Sequence, residues 1–113
     1  MELKELFELQ NELDQTILDR VTGRMMNVDN KRFLNDKIMA LSVEVSEFAN
    51  EVEAFKYWKQ NKRNDKEKQL SEYVDILHFW LSIGNTMKFT PLEVEAAYRK
   101  KYRENIERQK NGY

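Results

Sequence analysis

The sequence is poor in the residues on which several common kinds of site depend. It contains no cysteine and a single histidine, His78. Disulfide frameworks, zinc knuckles, thiolate nucleophiles and clusters of imidazoles are therefore excluded. The three glycines lie far apart, at Gly23, Gly84 and Gly112, so they form neither a Rossmann-type nor a Walker-type phosphate loop. If the protein binds phosphate groups, it does so without such a loop.

Proline is also scarce, and neither sign of charge dominates. The chain has one proline, and 19 Lys and Arg residues stand against 20 Asp and Glu residues. This balance favours neither a nucleic-acid polymer nor an anionic membrane. The longest apolar-rich run, 76–83, is far too short to cross a membrane, and the amino terminus lacks the apolar stretch of a signal peptide. We therefore expect a cytoplasmic protein with no membrane partner and no nucleic-acid polymer as partner.

The length and composition that are present fit one helical domain. The 113 residues, of which 41% are hydrophobic and 35% charged, suffice for one hydrophobic core and are too few for two. No repeat, low-complexity tract or change of composition divides the chain. We therefore expect an all-α fold and a single domain over residues 1–113.

Apolar residues at helical spacing predict four helices. These run over about 2–20, from an N-cap at Asn35 or Asp36 to about Trp58, over about 67–87, and from Pro91 onwards, with loops over 20–35 and 59–66. Gly23 is expected to end the first helix, whose apolar spacing Gln10 interrupts. Thr90, Pro91 and Glu93 form a capping-box signature. The third helix is apolar nearly all round, so we expect it to be central and buried.

Four carboxylates are placed to converge from two helices. Glu44 and Glu47 are three residues apart on the second helix, and Glu72 and Asp75 are three apart on the third, so each pair projects from one side of its helix. Neighbouring carboxylates at the edge of a core resist desolvation unless a cation neutralises them. Oxygen ligands without His or Cys select a hard ion such as Mg²⁺, which proteins usually hold together with substrate phosphates.

The residues alone leave a second interpretation open. With 20 acidic residues in 113, pairs three residues apart also arise by chance on solvated helix faces. A basic stripe such as Lys101, Asn105 and Arg108 near a helix C-terminus is typical of a solvated face that complements the helix dipole. Trp58 and Phe79 are core residues by default. Spacing alone therefore leaves a metal site and a solvated acidic face as alternatives.

The order of the four carboxylates resembles the metal motif of the MazG-like all-α NTP pyrophosphatases. Glu44-x-x-Glu47 is followed after 24 residues by Glu72-x-x-Asp75. Further segments resemble, within that superfamily, the dimeric dUTPases. These segments are Leu6-Phe7-Glu8-Leu9-Gln10 with Leu13-Asp14, Lys37-Ile38-Met39-Ala40-Leu41, Phe55-Lys56-Tyr57-Trp58, Glu72-Tyr73-Val74-Asp75 with Leu77-His78-Phe79, and the tail 105–113.

The resemblance implies a fold, a reaction and a set of site residues. The implied protein is a homodimeric four-helix bundle that hydrolyses dUTP to dUMP and pyrophosphate with two or more Mg²⁺ ions per site, for which Mn²⁺ can substitute. Glu44, Glu47, Glu72 and Asp75 would be the metal ligands, and Glu47 would also orient or deprotonate the attacking water. The implied substrate-binding residues are Gln10 at the uracil edge, Trp58 and Phe79 around the base and sugar, and Lys56, Lys101, Asn105 and Arg108 at the phosphates.

Other functions remain open at this level. The same fold and metals could serve another nucleoside triphosphate, such as dCTP or a non-standard nucleotide, because base choice rests on Gln10 and its neighbours. A helical interaction module would instead expose its paired acids and bind an acidic partner or single-stranded nucleic acid with its basic fourth helix. A regulatory dimer would bind nucleotide without hydrolysing it. A substrate panel with and without magnesium separates these functions.

Overall fold

Four α-helices make up most of the chain in the computed structural model, which describes residues 1–23 and 30–112. The helices are α1 Leu3–Thr22, α2 Leu34–Val52, α3 Lys66–Thr86 and α4 Pro91–Lys110, and a 3-10 turn, Asn30–Phe33, leads into α2. No strand occurs in the described ranges, so the expected all-α class is confirmed. The expected loop over 20–35 is shorter than predicted, and its residues 24–29 lie outside the described residues. Helix α2 begins before Asn35 and Asp36.

Two helix boundaries follow from local sequence chemistry. Helix α1 ends at Gly23, which has φ 65° and whose N–H donates to the Asp19 carbonyl. This left-handed conformation favours glycine. Helix α4 begins at Pro91 with a complete capping box, in which the Glu93 N–H donates to Thr90 Oγ1 over 3.1 Å and the Thr90 N–H donates to Glu93 Oε1 over 2.9 Å. Both predicted boundaries are therefore confirmed.

The end of α2 differs from the sequence prediction. The helix was expected to continue to about Trp58, because its apolar spacing runs on through Phe55, but it ends at Val52. Glu53 then adopts a left-handed conformation with φ 60°, and its N–H donates to the Ala49 carbonyl over 2.8 Å. The prediction was wrong because the Glu53 side chain accepts hydrogen bonds from residues three to ten positions later, which requires the chain to turn away from the helix axis.

Helix α3 lies between α1 and α2 and packs against both of them. The apolar side chains that are buried among the described residues are Phe7 of α1 and Leu81 of α3, each 3% exposed. Gly84 lets the two helices approach closely, since a Cβ atom there would lie 2.8 Å from Phe7 Cε1. Asn85 Nδ2 donates to the Phe7 carbonyl over 2.9 Å and fixes the same contact.

Much apolar surface stays exposed in the single chain. Tyr73 and Trp80 of α3 are both exposed, so the expectation that this helix is buried on all sides is wrong for one copy. Helix α4 has no buried residue among those described. The radius of gyration is 17.7 Å, against about 13 Å for a globular chain near this length. Among the helices of the described ranges, none is long and apolar enough to cross a membrane.

Candidate metal centre and nucleotide site

Three of the four predicted carboxylates meet where α2 packs on α3. Glu44 of α2 and Glu72 and Asp75 of α3 each offer an oxygen, and these oxygens all lie within 4.8 Å of one another. All three residues are half-buried. The two helices are held together nearby by Phe48 and Tyr73, whose ring centroids are 5.7 Å apart. The spacing of three residues on each helix thus brings the side chains to one point between them.

Glu47 joins this group from the more exposed side. Its carboxyl group lies close enough to Glu44 and Glu72 to raise the pKa of both by hydrogen bonding and by charge repulsion. Unlike the other three residues, Glu47 is exposed to solvent. We refer to Glu44, Glu47, Glu72 and Asp75 together as the acidic cluster.

The electrostatics of the acidic cluster disfavour its fully charged form. Burial, followed by the neighbouring Glu47 carboxyl group, raises the pKa of Glu44, and burial followed by the charges of Glu47 and Asp75 raises the pKa of Glu72. Glu44 Oε2 and Glu72 Oε2 are buried and accept no hydrogen bond within the described ranges. Buried polar atoms are normally satisfied. An all-oxygen donor set with two unsatisfied carboxylate oxygens fits a hard divalent cation such as Mg²⁺.

A second buried carboxylate lies close by and has a different environment. Glu53 is fully buried. Its carboxylate accepts hydrogen bonds from Lys59 Nζ at 2.7 and 2.9 Å, from Lys56 Nζ at 3.0 Å and from the Arg63 N–H at 2.6 Å. The Lys59 and Arg63 hydrogen bonds lower the pKa of Glu53 to about 2. We call these four residues the Glu53 ion-pair cluster.

Sequence reasoning missed the Glu53 ion-pair cluster. The segment over 59–66 reads as a solvated basic turn, and no local motif links it to an acid up to ten residues earlier. Arg63 also donates from Nη1 to Glu51 Oε2 over 3.0 Å, and the charge of Glu51 contributes to the raised pKa of Glu72. The Glu53 ion-pair cluster therefore lies next to the acidic cluster.

The predicted substrate-binding residues on this loop have distinct surroundings. Lys56, a predicted phosphate ligand, belongs to the Glu53 ion-pair cluster and also lies 5.8 Å from the centre of the Phe55 ring. Trp58, predicted to wall the base pocket, is 64% exposed. Its ring lies edge-on to Phe55 and Tyr57, with centroids 6.1 and 5.2 Å apart. The loop thus presents an aromatic group beside a lysine.

Gln10, the predicted reader of the uracil edge, is buried at the α1–α3 contact. It is 5% exposed. Its Oε1 lies 2.7 Å from His78 Nδ1, and its Nε2 donates to Asp14 Oδ1 over 2.8 Å. Asp14 Oδ2 in turn accepts from Ser82 Oγ over 2.6 Å. Both ends of the Gln10 amide therefore already have partners in the single chain.

Phe79, predicted to contact the sugar, lines an apolar cavity of about 190 Å³ between α1, α3 and the start of α2. It lies one helical turn after Asp75, on the same side of α3. The polar lining comes from Asp14, Lys37 and Ser82. Burial lowers the pKa of Lys37, whose Nζ donates to Thr86 Oγ1 over 2.8 Å. Gln10 is not itself a lining residue, but its Nε2 donates to Asp14, which lines the cavity.

The three predicted phosphate ligands on α4 lie on a largely exposed helix. Lys101 and Asn105 line a shallow groove whose lining residues all belong to α4, and Lys101 also lines a cavity with Leu41 of α2 and Trp80 of α3. Lys101 Nζ lies 3.7 Å from Glu104 Oε2, and Arg108 is exposed. Their role at the phosphates stays a prediction.

Comparison with known proteins gives one match. A family model described as dUTPase matches residues 2–94. No individual curated protein and no solved structure matches the chain. The matched region includes the whole acidic cluster and ends before Lys101, Asn105 and Arg108. Because the match covers most of the sequence and the described fold is all-α, the chain belongs to the all-α dUTPase family of nucleotide pyrophosphatases.

Proposed function

We propose that the protein hydrolyses dUTP to dUMP and pyrophosphate in a Mg²⁺-dependent reaction. The observation that carries this proposal is the acidic cluster, in which three carboxylates offer oxygens within 4.8 Å of one another. Two of the buried oxygens have no hydrogen-bond partner among the described residues. Membership of the dUTPase family supports the same chemistry. A site of this kind needs a hard cation, and a nucleoside triphosphate brings the phosphate oxygens that complete the coordination of Mg²⁺.

The four carboxylates would divide the work between binding and proton transfer. Glu44, Glu72 and Asp75, together with Glu47, would hold Mg²⁺, which supplies charge neutralisation at the phosphates and lowers the pKa of a bound water. Glu47 is the most exposed of the four, so its carboxylate can reach a water molecule at the mouth of the cluster and accept its proton. The attacking water oxygen would form a bond to one of the two phosphorus atoms of the α–β anhydride, the bridging oxygen would leave with the other phosphoryl group and the electron pair, and the products would be dUMP and pyrophosphate.

The substrate would extend from the acidic cluster along the adjoining surfaces. Lys56 approaches from the loop after α2 and contacts the phosphates, while Trp58 and Phe79 flank the base and the sugar. Gln10 reads the uracil edge, because a side-chain amide offers one donor and one acceptor. Its present partners, His78 and Asp14, each take one of the two hydrogen bonds that the oxygen and the nitrogen of the amide can each make.

A second copy of the chain would complete the site. Lys101 and Asn105 line a groove whose lining residues all belong to α4, and α4 has no buried residue among those described. Leu92 and Tyr98 are exposed by 78% and 72%. Covering such apolar surface favours a homodimer, in which Lys101, Asn105 and Arg108 bind phosphate across the interface. Sedimentation velocity at micromolar concentration should show a dimer, and a monomer would contradict this part.

A substrate panel tests the proposed reaction. We expect pyrophosphate release from dUTP with Mg²⁺, with strong preference over dCTP, dTTP and UTP, and no release in excess EDTA. Equal rates on all four nucleotides would remove the uracil assignment and leave a less selective pyrophosphatase. Absence of release from every nucleotide with both Mg²⁺ and Mn²⁺ would remove the enzymatic proposal and favour an interaction module.

A further inference from the structure

The segment that follows α2, residues 54–63, is folded around a single buried side chain. Glu53 has its carboxylate fully shielded from solvent. The donors that surround this carboxylate come from three later positions, Lys56, Lys59 and Arg63. A buried carboxylate is tolerated only when it is paired and hydrogen-bonded. The path of the 54–63 segment is therefore set by the need to satisfy Glu53.

The backbone at Glu53 supports the same conclusion. Its φ of 60° lies in the left-handed region, which a non-glycine residue adopts only at some cost. A glycine would fit this position better on conformational grounds. The glutamate side chain must therefore contribute something that the helix end itself does not require. That contribution is the set of hydrogen bonds to the 54–63 segment.

The segment also reaches the acidic cluster. Arg63 binds Glu53 through its backbone N–H and binds Glu51 through its guanidinium group. The charge of Glu51 is in turn felt by Glu72 of the acidic cluster. The 54–63 segment is thereby fixed at the edge of the site while it carries Lys56 and Trp58.

The contacts of Glu53 leave one donor to spare. Lys59 Nζ approaches both carboxylate oxygens, at 2.7 and 2.9 Å, and the Arg63 N–H adds a third contact at 2.6 Å. Lys56 contributes one further hydrogen bond at 3.0 Å. If Lys56 turns towards an anion, Glu53 keeps a charged partner and a backbone donor. Release of Lys56 therefore does not leave the buried carboxylate unpaired.

We propose that Glu53 is a positioning residue, which fastens the 54–63 segment and holds Lys56 ready for transfer to the phosphates of the nucleotide. This inference rests on the proposed function. In the free protein, Glu53 restrains Lys56 beside the site. In the complex, Lys59 and the Arg63 N–H retain the carboxylate while Lys56 contacts the triphosphate. The segment is thus ordered before the substrate arrives, which reduces the entropy cost of binding.

Two variants of Glu53 and one control test the proposal in the full chain. Glu53→Gln keeps the size of the side chain and removes its charge, and Glu53→Gly suits the left-handed backbone while removing the carboxylate altogether. Glu12→Gln removes one charge from an exposed position on α1 and serves as the control. We would measure KM and kcat with dUTP at saturating Mg²⁺, and amide hydrogen exchange over 54–63 without nucleotide.

The expected result is a split between the two kinetic constants. Both Glu53 variants should raise KM by about tenfold, since a hydrogen bond to a charged group is lost and the segment must be ordered during binding. Their kcat and Mg²⁺ dependence should stay close to those of the wild type and of Glu12→Gln. Exchange over 54–63 should become faster. A KM equal to that of the wild type in both variants would overturn the proposal, as would a fall in kcat at unchanged KM.

Lys59 provides a second, independent test. Lys59→Met leaves Lys56 as the remaining charged side chain that hydrogen-bonds Glu53, so Lys56 should be held back from the phosphates and KM should rise. Lys59→Arg keeps the charge and should restore a KM near that of the wild type. Failure of Lys59→Arg to restore KM would count against the proposal. A wild-type protein without activity on dUTP would instead defeat the proposed function itself, and the inference with it.

Discussion

Two neighbouring groups of carboxylates in this protein, one half-buried to exposed and one centred on a fully buried glutamate, have opposite properties. In the acidic cluster, burial and neighbouring carboxyl groups raise the pKa of Glu44 and Glu72. In the Glu53 ion-pair cluster, hydrogen bonds from Lys59 and Arg63 lower the pKa of Glu53 to about 2. Glu53 is the more deeply buried residue, so burial does not explain the difference. The presence or absence of donors from the protein does.

The comparison separates a carboxylate with partners inside the protein from carboxylates that can take a ligand. Glu53 accepts several hydrogen bonds from the protein, and its contribution is to the fold of the 54–63 segment. Glu44 and Glu72 each keep one buried oxygen without a partner among the described residues, so a bound cation would stabilise them. Perturbed pKa values in a cleft commonly mark functional sites for this reason.

The largest expected effect is on turnover, when one carboxylate of the acidic cluster loses its charge. Asp75→Asn preserves the shape of the side chain but weakens cation binding, so we expect the rate of pyrophosphate release to fall by about a hundredfold or more. Helical circular dichroism should be unchanged. Asp36→Asn, at an exposed position in the first turn of α2, is the matched control and should retain activity. Equal turnover in Asp75→Asn and Asp36→Asn would contradict the prediction that the acidic cluster is needed for turnover.

A large effect on stability is expected from Mg²⁺ itself. A cation that binds the folded state alone, at a hundred times its dissociation constant, stabilises it by about 2.7 kcal/mol. For a chain of this length the melting temperature should then rise by roughly 10 °C. Sodium chloride at the same ionic strength is the control. An identical rise in Glu44→Gln would show that the cation binds elsewhere.

A smaller effect on the melting temperature is expected in the absence of metal, when the charge repulsion between Glu44 and its neighbouring carboxylates is removed. The folded-state pKa of Glu44 is raised, so the folded chain binds this proton more tightly than the unfolded chain does. The loss of folding stability caused by the charged Glu44 is therefore absent at low pH and develops as the pH rises through the raised pKa. In EDTA at pH 7, Glu44→Gln should melt a few degrees above the wild type. The difference should narrow as the pH falls towards the ordinary carboxyl range, and a constant difference would contradict this origin.

The smallest effect is a local one at Glu53. Its folded-state pKa of about 2 lies below the ordinary value of 4.5, so its stabilising contribution is present above pH 4.5 and is lost as the pH falls towards 2. Carboxyl carbon shifts measured by NMR should give a midpoint near pH 2 for Glu53, whereas Glu44 and Glu72 should titrate above the exposed glutamates. If Glu53, Glu44 and Glu72 titrated at the same pH, the predicted difference between their pKa values would be wrong.

Local chemistry explains what the sequence could predict of the fold. The capping box at Thr90 and the helix stop at Gly23 each depend on residues within a few positions, so both boundaries could be predicted. The end of α2 could not, because the apolar spacing continues through Phe55 while the turn at Glu53 depends on donors as far along the chain as Arg63. Tertiary contacts of this range leave no mark on helical periodicity.

In the candidate site, too, features set by local sequence could be predicted and features set by tertiary packing could not. The acidic cluster could be anticipated because two residue pairs with a spacing of three must each share a helix face, and the packing of α2 on α3 brings those faces together. The Glu53 ion-pair cluster and the partners of Gln10 could not be anticipated, since each depends on how separate elements pack. The position of Lys101 and Asn105 relative to the carboxylates depends on the direction of α4, which helix spacing does not determine.

The close approach at Gly84 limits how this protein can be stabilised by design. Replacing a glycine inside a helix by alanine ordinarily gains about 1 kcal/mol, because alanine restricts the unfolded chain and favours the helix. Here the added methyl group would overlap the Phe7 ring. Phe7 and Gln10 are the two buried residues of α1, so a displaced Phe7 ring would disturb the α1–α3 contact in which Gln10 binds His78. An engineer who seeks a more heat-resistant variant should therefore leave this glycine in place and work on the uncapped start of α2.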